Sequence, residues 1–279
     1  MNTITINGKT AGITLEAEKT LGELLSGLDS WLEGSGQYLS GIEVDGKTYG
    51  SSLLEKAFDL SLDGISRLDI KTSSWAELML EALFGVKNDL ESYEKNPPGS
   101  SAADAGFEGA AVWQEGHAAL FLKNNAVDIY HLTLQILDGK ILPEKALPLI
   151  TERIRELRDP ASEIKASLPA ITEISKRLED LPLDVQTGKD ARAAETIALF
   201  SGVTEKLFRL LHILRRGGIA VESINGFLDE FGSAVKELHS AYTNKDTVLV
   251  GDLAEYELAP RLLEFSSLLG GLAAPAEAS

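Results

Sequence analysis

The chain has 279 residues, 44% of them apolar, a formal net charge of −17 and no cysteine. That length and apolar content suffice for one large or two ordinary hydrophobic cores, while the lack of cysteine excludes disulfides, thiolate nucleophiles, thiolate zinc sites and cysteine-ligated iron–sulfur clusters. The negative charge argues against a general nucleic-acid binder, because duplex affinity rests on Lys and Arg neutralising phosphates.

The start, MNTITINGKT, has neither the basic residues nor the apolar core of a secretory signal. No stretch approaches the roughly 20 apolar residues of a membrane span, so a cytoplasmic protein without membrane insertion is expected. Thr3-Ile4-Thr5-Ile6 alternates as a strand does, Asn7-Gly8 is a hairpin dipeptide, and Gly12 to Glu16 returns with Ile13 and Leu15 alternating. Thr20-Leu21-Gly22-Glu23 has the form of a capping box, and Leu21, Leu24, Leu25, Leu28 and Leu32 follow at helical spacing until Gly34-Ser35-Gly36. Gly41 to Val44 runs into the turn Asp45-Gly46, and Ile65 to Ile70 forms a last alternating strand after a short helix.

The order strand, strand, helix, strand, short helix, strand over residues 1–72 resembles the β-grasp, the fold of ubiquitin and the small sulfur carriers. The resemblance implies a fold alone. Those proteins act through a free C-terminal Gly-Gly, whereas here the last strand continues through Lys71-Thr72-Ser73-Ser74 into a helix. Gly270-Gly271 follows a helix and precedes eight more residues, and is read as a helix stop.

A helix is expected over about 75–93, broken by Lys95-Asn96-Pro97-Pro98-Gly99-Ser100-Ser101. Six more are expected at about 111–138, 143–158, 160–181, 190–216, 219–242 and 246–269, joined by short turns as antiparallel neighbours are. The whole is thus an α+β chain. A small β-grasp-like domain occupies 1–72, a connecting helix 73–94, a Pro/Gly/Ser linker 95–110, an elongated all-α antiparallel helical bundle 111–270, and a disordered tail 271–279.

The motifs that suggest chemistry are incomplete. Thr187-Gly188-Lys189 looks like the end of a phosphate loop, but Leu183 stands where the first glycine belongs and Asp190 where a hydroxyl should ligate magnesium. A helix cap by Thr187 or Asp190 is the better reading. Asn244-Lys245-Asp246 has the acid one residue too early for a guanine-reading motif and reads as a loop and N-cap.

Of four histidines, His117, His131, His212 and His239, only His131 has an acid three residues before it, Asp128, which falls short of the paired Glu-x-x-His of di-iron bundles. His212-Ile213-Leu214-Arg215-Arg216-Gly217 resembles the surround of the phosphoryl-accepting histidine in histidine phosphotransfer domains, with one residue inserted. Helical spacing puts Glu205, Arg209 and His212 on one solvated stripe. No catalytic, cofactor-binding or metal-ligating residue is assigned, and no cofactor is expected.

Charge is uneven along the chain. Residues 1–109 hold 18 acids and 8 bases, 151–217 hold 11 and 12, and 218–279 hold 10 and 3. The last helix, Val248 to Phe265, has two apolar faces and so needs two neighbours, in the bundle or in a second chain. Asp252 and Glu255 lie between those faces, and Pro260 should kink the helix near Tyr256. The two acids either form an ion pair within the bundle or receive a basic group from a partner.

The expected function is a non-enzymatic, acidic protein–protein interaction module, an adaptor, chaperone or assembly factor that binds partner proteins through the helical bundle and the N-terminal head. Its partner is a protein, with a basic one favoured by charge. The candidate contact residues are Asp252, Glu255, Tyr256, Lys189, Arg215 and Arg216. A structural homo-oligomer through the last helix, and a histidine phosphotransfer or other bundle enzyme, are the alternatives.

Overall fold

A computed structural model describes residues 3–13, 15, 17–50, 56–95, 114, 117–138 and 140–273, with side chains for all of these except 29, 30, 33, 93–95, 117 and 118. The chain divides into two compact units, Met1–Ile154 and Arg155–Ser279. An N-terminal five-stranded sheet is followed by helices, which makes this an α+β fold with a helical C-terminal part.

The first unit opens with β1 (Thr3–Ile6) and β2 (Lys9–Thr10). Helix α1 (Leu21–Gly34), β3 (Gln37–Val44), β4 (Lys47–Gly50) and β5 (Arg67–Ser74) follow. The sheet order is β2-β1-β5-β3-β4. β1 and β5 pair in parallel at its centre, Thr3 opposite Arg67 and Ile6 opposite Ile70, and the remaining pairs are antiparallel. This small mixed sheet fits a β-grasp-like head.

Both hairpins turn as their dipeptides demand, with positive φ at Asn7 and Gly8 and at Asp45 and Gly46. The expected capping box is formed, since Glu23 N–H donates to Thr20 Oγ1 at 3.3 Å and Thr20 N–H to Glu23 Oε2 at 3.3 Å. Leu21, Leu24 and Leu25 of α1 pack on Ile42, Val44, Leu68 and Ile70 of the sheet to make the core.

Three details differ from the expectation. The return strand comes earlier than residues 12–16, because the tight Asn7-Gly8 turn sets Lys9 opposite Ile6. Asp45-Gly46 closes a second hairpin, which adds β4. The helical residues described between β4 and β5 are 3₁₀ in form, at 56–57 and Leu62–Gly64.

Helix α2 (Trp75–Lys95) continues directly from β5, with Ser74 and Glu77 forming a capping box of their own. Apart from Lys95, the linker expected over 95–110 lies outside the described residues. The helix expected over 111–138 is, where described, α3 (His117–Asn125) and α4 (Val127–Leu137), interrupted at Ala126. Asn125 explains the break: its side chain donates to the Phe121 carbonyl at 2.9 Å and accepts from Trp75 Nε1 at 2.8 Å. An amide that satisfies its own preceding turn competes with helix continuation.

The unit boundary falls within α5 (Pro143–Arg158). The second unit then holds α6 (Pro160–Glu179), α7 (Leu181–Gln186), α8 (Asp190–Arg216) and α9 (Asn225–Thr243). Asp180 separates α6 from α7, and Pro182 lies in the first turn of α7, where its missing N–H costs no helical bond. The last helix comprises α10 (Thr247–Asp252), a π-helical turn (Leu253–Leu258) and α11 (Ala259–Ala273). It runs through Gly270-Gly271, so that pair is not the helix stop expected, and the rest of the tail, 274–279, lies outside the described residues.

Phe200, Phe208, Phe227, Phe231 and Phe265 from α8, α9 and α11 meet at centroid separations of 5.1–6.3 Å. These contacts fall in the range where aromatic pairs contribute beyond simple area burial. Among the described residues no helix is long and apolar enough to cross a membrane.

Candidate functional site

The last helix places its candidate residues through a local irregularity that Pro260 explains. Proline has no N–H, and in an α-helix its ring would collide with the carbonyl four residues earlier, that of Tyr256. The chain responds with the π-turn, in which Ala259 N–H reaches back five residues to the Ala254 carbonyl. From α6, Ser175 Oγ donates to the Ala259 carbonyl at 2.8 Å in a buried bond. The irregularity is therefore packed and hydrogen-bonded on its inner side.

On its outer side stand Val248, Asp252 and Tyr256, all exposed, with Glu255 half-buried beside them. Tyr256 is 66% accessible and Val248 72%, the two highest values among the exposed large hydrophobic side chains described. The Tyr256 hydroxyl is bonded to Glu255. That bond, the Glu255 charge, burial and the Asp252 charge together push the phenol above its ordinary value. Among the described residues neither Asp252 nor Glu255 has an ion pair, in contrast to Glu257, which binds Arg261 at 2.8 Å. The result is an aromatic and aliphatic surface edged by two carboxylates that no cation among the described residues pairs with.

Lys189 stands in a different setting. Its Nζ lies 3.5 Å from Asp184 Oδ1, and Arg192 Nε lies 3.0 Å from Asp184 Oδ2. Asp184 is only 2% accessible, so these cations compensate a buried charge. The Thr187 hydroxyl donates to the Leu183 carbonyl at 2.7 Å, and α8 starts without a side-chain cap, so the cap expected from Thr187 or Asp190 is not made. The corner is closed by backbone instead. Lys189 N–H bonds the Asp184 carbonyl at 2.8 Å and Gly188 N–H the Val185 carbonyl at 3.2 Å, with Gly188 at φ +70°. This is a Schellman motif.

Arg215 and Arg216 are exposed in the last turn of α8, where cations oppose the negative end of the helix dipole. They are not adjacent in sequence or element to Asp252, Glu255 and Tyr256, and no described contact joins the two groups. One turn earlier, burial together with Arg216 and Arg215 lowers the His212 pKa, which favours the neutral ring. The stripe expected to be solvated is partly internal, because Arg209 grips Glu156 through Nε–Oε2 at 3.1 Å and Nη2–Oε1 at 2.9 Å, and Glu156 is fully buried. Sequence reasoning missed this pair; its partners are 53 residues apart, and no spacing rule connects them.

Asp128 bonds Arg153 at 2.6 Å, and His131 meets Tyr130 edge-on at 5.4 Å. Among the described residues no group of three or more His, Asp and Glu side chains is placed to hold a metal ion. Asp246, read as an N-cap, is one: its Oδ1 accepts from Leu249 N–H at 3.1 Å.

Residues 3–74 are similar to a family described as the TP0873 N-terminal domain, and residues 163–268 to a domain of unknown function, DUF8042. No curated protein and no solved structure matches the chain. The first interval spans the whole sheet, and the second encloses Lys189, Arg215, Arg216, Asp252, Glu255 and Tyr256.

Proposed function

We propose that this chain is a non-enzymatic protein-interaction module whose second unit docks a partner on the Val248–Tyr256 surface. One observation carries the reading: Tyr256, two-thirds exposed, stands beside Asp252 and Glu255, which have no ion pair among the described residues. Tyrosine supplies contact area at small entropic cost and is enriched in binding hot spots. The carboxylates favour a basic partner and repel an acidic one. The Ser175 bond and the π-turn hold this surface in place before any partner arrives.

Crosslinking with mass spectrometry in cells tests the reading. Reproducible intermolecular crosslinks are expected close to residues 245–261, and Tyr256→Ala or the pair Asp252→Lys, Glu255→Lys should remove them. Crosslinks that persist unchanged in both variants would refute it.

A further inference from the structure

Helix α9 has two chemically different flanks. Asp229, Glu230 and Glu237 line one side, with Glu257 and Arg261 facing them. The other side faces α8 across an apolar groove made of two adjoining depressions of about 340 and 280 Å³, which share Ile197 and Tyr242. Val235 and Leu238 continue the floor of the first, and Val185 and Val250 that of the second.

The rim of this groove is basic in a strongly acidic chain. Lys236, His239 and Lys245 line it, with Asp190 the one carboxylate lining it among the described residues. None of the three bases has an ion pair among the described residues, and all three are exposed.

Lys245 carries a second mark. The α9–α10 corner repeats the bonding of the α7–α8 corner, with Asp246 N–H on the Ala241 carbonyl and Lys245 N–H on that of Tyr242. Gly188 and Gly218 occupy the left-handed position at two such corners, at φ +70° and +85°, but here it is Lys245 at φ +57°. A side chain is disfavoured in that conformation, and an observed outlier of this kind points to a use for the side chain.

We propose that the basic surface that meets the Val248–Tyr256 patch is this groove on a second copy of the chain. Tyr256 and Val248 of one copy seat between Ile197 and Tyr242 of the next, and Asp252 and Glu255 meet Lys236, His239 and Lys245. The inference rests on the docking role assigned to the patch and names its partner. On α10 the groove-lining Thr247 and Val250 project roughly 150° away from Val248 and Asp252, at about 100° per residue. Donor and acceptor surfaces thus face opposite ways, which makes the contact heterologous, each copy receiving one neighbour and docking on another.

Sedimentation velocity of the full chain between micromolar and millimolar concentration tests this. The wild type should gain mass with concentration. Lys236→Glu with Lys245→Glu, and separately Asp252→Lys with Glu255→Lys, should each remain monomeric while keeping the wild-type circular dichroism. An equimolar mixture of the two should associate again, because each altered surface then finds its complement. Lys245→Gly should raise the melting temperature yet weaken association several-fold.

A wild type that stays monomeric at every concentration, or charge variants that associate as well as it does, would overturn the proposal. The cellular crosslinks read the patch independently. Loss of those crosslinks in Tyr256→Ala beside a monomeric wild type would reject self-docking and leave the patch's docking role intact.

Discussion

Removing the guanidinium of Arg209 would take two charge-assisted bonds from Glu156, a carboxylate without access to water. Leaving a buried charge wholly uncompensated costs about 3–5 kcal/mol, so Arg209→Met should lower stability by up to that order, and adding Glu156→Leu should restore part of the loss. Urea denaturation of the two single variants and the double variant measures both effects. In the head, burial pushes the Asp69 carboxyl up, but bonds from Lys71, from Thr5 Oγ1 at 2.6 Å and from Gly8 N–H at 2.8 Å outweigh it and bring the pKa to about 2. A folded pKa below the unfolded one stabilises above the unfolded value, and that gain is lost as pH falls through the folded pKa. Asp69→Asn should therefore cost roughly 1–3 kcal/mol at pH 7, a deficit that shrinks from about pH 4 toward pH 2 in acid titrations of stability. Lys245→Gly should act in the opposite direction, stabilising by about 0.5–1 kcal/mol in the same denaturation assay. What was legible at this scale was local. Asn7-Gly8, Asp45-Gly46 and the Thr20–Glu23 box each complete their geometry within four residues, whereas Glu156–Arg209 and the Asp184 cluster depend on how the helices fold together.

At the scale of elements, Pro260 shows how much a single residue can disclose. A perturbation near Tyr256 follows from the missing N–H alone, but a π-turn in place of a simple kink depends on the packing of α6 and the bond from Ser175. A proline strained inside a helix costs about 3 kcal/mol. Because the π-turn already accommodates the ring, Pro260→Ala should change stability by less than about 1 kcal/mol. Ser175→Ala should cost about 1 kcal/mol and loosen the same turn, seen as faster amide hydrogen exchange over residues 253–259. Helices α5 and α8 lie where their periodicity puts them, 143–158 and 190–216, because Pro143 starts one and Gly217-Gly218 ends the other. The interruption at Ala126 was not legible, since the bond from Trp75 to Asn125 joins residues 50 apart in sequence.

For the whole molecule, the charge of −17 sets a background of self-repulsion against which any docking must work. The Debye length falls from about 30 Å at 0.01 M salt to about 8 Å at 0.15 M. Raising salt across that range should increase the unfolding midpoint in urea, as long-range repulsion is screened before short contacts are weakened. The division of acids and bases along the chain was readable in advance, but the separation of α9 into an acidic flank and a basic, apolar one was not. It needed the positions of α8 and α11 on either side. The parallel pairing of β1 with β5 bears on how the protein is made. Thr3 finds its sheet neighbour only at Arg67, and translation proceeds at about 5–20 residues per second, so the first strand waits roughly 3–13 s on the ribosome with its central partner unmade. A segment that emerges long before its mate is exposed to nascent-chain chaperones, and stalling translation between residues 10 and 66 should leave this head unfolded at the exit tunnel.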